Sequence, residues 1–95
     1  MPLSDDEITA ALPSLPGWKQ SGKAIERSFK FPDFLAAMTF VNRIAEAAEK
    51  ANHHPDIAIH YNQVTLSLWS HDSGGVTKRD LKMAGVINEV TQASS

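Results

Sequence analysis

Ninety-five residues, 42% of them hydrophobic and 21% charged, make one ordinary globular domain and leave no room for a second. Nine Lys and Arg against eleven Asp and Glu give a net charge of −2, with no basic cluster outside Lys78-Arg79, so direct nucleic-acid binding is not expected. Cysteine is absent, which excludes disulfides and thiol-ligated metal, and no apolar run approaches the roughly eighteen residues of a membrane span.

In chain order, Ser4 and Glu7 have the spacing of a capping box, and Ile8 and Leu12 fall on one helical face before Pro13 ends a short first helix. The stretch before Ile8, Met-Pro-Leu-Ser-Asp-Asp-Glu, has no positive region followed by an apolar one, and a cytoplasmic location is expected. Pro16-Gly17 marks a turn and Trp18-Lys19-Gln20 a brief strand. Ser21-Gly22 then turns the chain into a second strand from Ala24 to Phe31, with Ile25, Phe29 and Phe31 apolar. From Asp33, a plausible N-cap, the positions Phe34, Met38, Val41, Ala45 and Ala48 recur at three- and four-residue spacing and predict a long amphipathic helix. That helix should end near Asn52, because Pro55 disfavours helical geometry at His54. Strands at about 56–60 and 64–71 follow, then a loop at Ser73-Gly74-Gly75, then a helix from Thr77 carrying Leu81, Ala84, Ile87 and Val90. Gln92 to Ser95 should fray.

The order α-β-β-α-β-β-α implies an α+β, two-layer sandwich: a four-stranded antiparallel sheet with helices on one face. A core this small, from a chain that buries about 60–68% of its unfolded surface, favours association with copies of itself. The apolar positions of the last helix are one candidate for that contact.

The adjacent His53 and His54, with His71 on the far arm of the second hairpin, are the residues best suited to chemistry. Side chains alternate along a strand, so Ile57 and Ile59 share one face and Val64, Leu66 and Leu68 share another. Both faces must meet one core, and a two-residue turn at Asn62-Gln63 would oppose Ile57 to Leu68 and Ile59 to Leu66. The same register sets His71 opposite His54, with Trp69 beside it on the open face, and leaves Tyr61 packed on the core face. Three imidazoles would then border one pocket on the helix-free side of the sheet. Histidine, with an ordinary pKa of about 6.5, can both donate and accept protons near neutrality. The bland alternative is that His53 and His54 only close the long helix. A three-histidine metal site would leave a position open for water, but neighbouring residues rarely aim two imidazoles at one ion, so no metal is expected. His60, on the same strand face, is expected to be solvated.

Reading from Glu49, the chain runs Glu49, three residues, His53-His54-Pro55, five residues, Tyr61, nine residues, His71, eight residues, Asp80. This resembles the signature of the pterin-4a-carbinolamine dehydratases at every element, and the similarity covers most of the chain. It departs from part of that family at Asn52, where some members carry an acidic residue, and at Ile57, where some carry an aromatic one. The resemblance implies the same sandwich, dimers that extend the sheet and often pair into tetramers, and dehydration of a 4a-hydroxytetrahydropterin without metal or organic cofactor. It implies that His53 and His71 donate protons to hydroxyls on either face of the pterin, while His54 positions the substrate and accepts a proton.

Glu49 lies one turn before His53, where its carboxylate could hydrogen-bond that imidazole and fix its tautomer. Asp80 stands three residues after Thr77, the N3 position of a capping box, and a structural role at the start of the last helix is preferred for it. Trp69 could stack on a flat ring. Two other function classes use the same fold. One is a protein-binding or dimerisation module, since relatives include a dimerisation cofactor of a homeodomain transcription factor; the other is a different pterin-related role. Retention of all three histidines favours the enzyme.

Overall fold

Each helix begins where the sequence supplies a cap. In the computed structural model, which describes residues 2–94, α1 (Asp5–Ala11) carries a complete capping box: the Ser4 hydroxyl accepts from the Glu7 amide and the Glu7 carboxylate accepts from the Ser4 amide. Pro13 then turns the chain into a 3-10 segment (Leu12–Ser14). After β1 (Lys19–Ser21) and β2 (Ala24–Lys30), the Asp33 carboxylate caps α2 (Phe34–Ala51) by accepting from the Ala36 amide at 2.8 Å. Strands β3 (Asp56–His60) and β4 (Gln63–Leu68) follow, and α3 (Lys78–Ser94) ends the chain.

The sheet is antiparallel throughout, in the order β1-β2-β4-β3, which puts β4 at the centre and β3 at an open edge. Alternation fixes which face is dry. Ile25 and Phe29 of β2 and Val64, Leu66 and Leu68 of β4 are buried together with Phe40, Ile44 and Ala48 of α2 and Met83, Ala84 and Ile87 of α3. On the opposite face the Ser28 and Thr65 hydroxyls hydrogen-bond across paired strands. The expected α+β architecture is therefore present.

Several local expectations are corrected. The first hairpin turns at Gly22-Lys23, because Ser21 pairs with Ala24, and Trp18 precedes β1 with its ring buried and its indole N–H donated to Asn88. The second hairpin turns at Tyr61-Asn62, so Ile57 opposes Leu66 and Ile59 opposes Val64. A tertiary clamp explains the shift. The Asn62 carbonyl accepts from the Phe31 amide and its side-chain amide donates to the Phe31 carbonyl, both at 2.8 Å, which commits Asn62 to the turn. A two-residue shift preserves the parity, but the core contact expected of Ile57 and Ile59 is corrected, since both are exposed on the edge strand, and Tyr61 does not pack: it takes a left-handed conformation and is 67% exposed. Strand β4 stops at Leu68 instead of running to His71, since Ser70 pairs with Gly75 and its carbonyl accepts from the amides of Ser73 and Gly74. Helix α3 continues through the region expected to fray, as far as Ser94; Ser95 lies outside the described residues.

Candidate active site

Three chain reversals meet at one buried carboxylate. The first is the end of α2, where Asn52 adopts a left-handed conformation at φ 51°, which Asn tolerates better than most residues. The Asn52 amide bonds to the Glu49 carbonyl and the His53 amide to the Ala48 carbonyl, the paired bonds of a Schellman ending. This closure sends His53 inward, and its Nε2 lies 2.5 Å from Asp80 Oδ1. The second reversal is the exit of β4, where Ser70 is buried and donates its hydroxyl to Asp80 Oδ2 at 2.9 Å. The third is the start of α3, where the Thr77 amide donates to the same oxygen at 2.8 Å.

Asp80 has no exposed surface, and its two oxygens serve different ends. Oδ2 closes the helix start, as the capping reading requires, and the positive end of α3 favours the charge. Oδ1 holds His53. The preference for a purely structural Asp80 was therefore incomplete, because one carboxylate caps a helix and grips an imidazole.

His54 follows on the outside, and its Nε2 hydrogen-bonds Glu49 Oε2, with both side chains largely exposed. Glu49 was expected to reach His53 instead. The left-handed Asn52 explains the exchange, because it folds His53 under the helix and leaves His54 beside the last turn.

His71 lies in the turn after β4 and is not opposed to His54 across the hairpin. Its ring sits against Trp69 with centroids 3.7 Å apart and planes inclined by 35°. The Trp69 indole donates to Asp56 at 3.4 Å, which ties this turn to the segment just after the histidine pair. His71 also directly follows Ser70, so His53 and the His71 backbone are linked through Asp80.

The expectation that all three rings border the helix-free face fails for His53. Its ring turns toward α3 and lines a cavity of about 210 Å³ with Ala51, Arg79, Lys82, Met83 and Val86. Sequence reasoning missed Ser70, Asp56 and Arg79. Arg79 pairs with Asp72 at 2.7 Å, next to His71, and also lines the His53 cavity. In the sequence Lys78-Arg79 reads only as a basic pair, and nothing in the local pattern marks Ser70 as buried. Among the described residues, no three His, Asp or Glu side chains converge as a metal cage requires, since each imidazole is held by a different partner. No helix among them is long and apolar enough to cross a membrane.

Comparison with known proteins places the sequence and the fold. Residues 1–90 match the family model described as pterin 4 alpha carbinolamine dehydratase. A protein of Koribacter versatilis provisionally named pterin-4-alpha-carbinolamine dehydratase is 62% identical over 88 residues, which are 93% of this chain and 94% of that one. A provisionally named counterpart from Thermosynechococcus vestitus is 49% identical over 93% of each. Among solved structures, a transcriptional coactivator/pterin dehydratase from Brucella melitensis is 41% identical with a TM-score of 0.87, over 95% of this chain and 98% of that one. A pterin dehydratase-like protein identified as a RuBisCO assembly factor in the alpha-carboxysome is 18% identical with a TM-score of 0.66, over 78% and 88%, a likeness of fold alone.

Proposed function

Because the chain belongs to the pterin 4 alpha carbinolamine dehydratase family, we propose that it dehydrates a 4a-hydroxytetrahydropterin to a quinonoid dihydropterin, recycling the pterin spent by an aromatic amino-acid hydroxylase. The bond between C4a and its hydroxyl breaks. An acid protonates the departing oxygen, which leaves as water, while a base removes the N5 proton and the nitrogen lone pair forms the new double bond to C4a. Both tasks suit imidazole at neutral pH and require no metal or organic cofactor.

The observation that carries this reading is that each of the three imidazoles has its own orienting partner: His53 on Asp80, His54 on Glu49 and His71 on Trp69. Held rings are what proton transfer in a fixed geometry needs. In this assignment His53 and His71 donate protons to hydroxyls of the substrate, His54 positions it and accepts a proton, and Trp69 offers its face to the pterin ring. Glu49 and Asp80 support the histidines. The open edge of β3 further leads us to propose a homodimer, or a tetramer of paired dimers, as the working form.

A non-catalytic role, as a protein-binding module or another pterin-related function, is the competing reading; exposed Phe34, Leu35 and Tyr61 favour it. The two separate in one assay. A hydroxylase generates the 4a-carbinolamine in stopped flow and its decay is followed with and without this protein. Acceleration above background supports the dehydratase, and decay at the background rate in the presence of folded protein overturns it.

A further inference from the structure

The protein groups around Asp80 Oδ2 donate toward the carboxylate, and that direction assigns the proton on His53. Ser70 Oγ has a single hydrogen, and its geometry donates it to Asp80 Oδ2 at 2.9 Å. With that hydrogen committed, the 2.8 Å contact with Thr77 Oγ1 is donated by Thr77, whose hydroxyl also lies 3.4 Å from Asp80 Oδ2. The Thr77 amide, which can only donate, adds a second bond to Oδ2 at 2.8 Å. That oxygen is saturated with donors and stands in the first turn of α3, where negative charge is favoured, so Oδ1 is left as an acceptor facing His53 Nε2 at 2.5 Å.

We propose that Ser70 and Thr77 are positioning residues that act through Asp80 to keep the His53 proton on Nε2, so that Nδ1 is the nitrogen offered to substrate. Its chemical consequence rests on the reading of His53 as a proton-transfer group. Nδ1 has no hydrogen-bond partner among the described residues; bare, it accepts a proton, and it donates one to a substrate hydroxyl only from the doubly protonated ring. Arg79 and Lys82, the cations that line the His53 cavity, cannot accept from Nε2–H and do not compete with Asp80 for it.

The test reads the proton directly. Long-range proton–nitrogen correlation spectra of protein labelled with ¹⁵N-histidine distinguish the two neutral tautomers. The wild type should show His53 protonated at Nε2 with Nδ1 bare. Ser70→Ala should mix the tautomers and lower kcat on the order of tenfold, the scale of one lost hydrogen bond to a charged group, with little change in KM. Ser70→Thr, which restores the hydroxyl, should recover both. If the alanine variant does not fold, Ser70→Cys supplies the same readout with a similar volume and a weaker donor. A wild-type His53 protonated at Nδ1, or tautomer signals that Ser70→Ala and Ser70→Cys leave unmoved, overturns the proposal. A tautomer shift in a protein that never accelerates carbinolamine decay supports the positioning and removes the dehydratase reading instead.

Discussion

Burial separates the two histidine–carboxylate pairs. Glu49 and His54 lie at the surface, where water screens such a pair to about 0.2–1 kcal/mol, so Glu49→Gln should change stability little. Asp80 is fully buried and supports His53, Ser70 and the Thr77 amide at once. Asp80→Ala leaves those donors without a partner and should cost roughly 3–5 kcal/mol, read as a lowered midpoint in urea unfolding. For activity, His53→Ala and His71→Ala should each slow dehydration about 10²-fold or more, with the double variant near background in stopped flow. Exhaustive chelation should leave the wild-type rate unchanged. Loss of activity on chelation, restored by zinc, would replace acid–base catalysis with a metal mechanism.

The helix starts show how a local motif acquires a pH dependence. In α1 the Glu7 carboxyl is held below the ordinary carboxylate range, chiefly by the hydrogen bond from the Ser4 amide and next by the Ser4 hydroxyl. A carboxyl depressed in the folded state stabilises above its unfolded pKa and loses that contribution as pH falls through the folded value. Urea midpoints of wild type and Glu7→Gln should therefore differ at neutral pH and converge in acid; a constant gap would show that the box does not depend on ionised Glu7. The loop after the first helix is constrained by packing. Gly17 has φ 88°, and a Cβ there would run into Arg27, whose guanidinium donates to Asn88. Burial lowers the pKa of Arg27, which lies over the Phe29 ring.

Assembly is the question that belongs to the whole molecule. The expectation that α3 has apolar surface to spare is corrected: Ala84 and Ile87 are fully buried, and Leu81 and Val90 pack against the same core. The uncovered apolar surface is elsewhere, on edge strand β3, all five residues of which are exposed, and at the start of α2. Ile57 and Ile59 of β3 are 38% and 37% exposed beside unpaired backbone groups, the combination a second copy can cover. Sedimentation at micromolar concentration should give a mass well above the 10.4 kDa chain, and Ile59→Lys should shift it toward monomer. A wild-type monomer with full dehydratase activity would show that the site does not need a partner.

Local chemistry alone determined the elements. Ser4 with Glu7, Asp33 before Phe34, and Pro55 after the histidine pair act on their own backbone, so the boundaries of α1 and α2 were legible within a residue or two. The alternation of Val64, Leu66 and Leu68 likewise fixed the buried face, because period two follows from the pleat itself. The spacing from Glu49 to Asp80 marked the set of candidate residues before any coordinate was known. Tertiary structure decided which of them touch. The Asn62–Phe31 clamp moved the hairpin register by two, the Ser70–Gly75 pairing took His71 out of the strand, and the left-handed Asn52 gave Asp80 to His53 and Glu49 to His54. Contacts between residues 31 and 62, or 53 and 80, depend on how separate elements dock, and no period or cap within either segment encodes that distance.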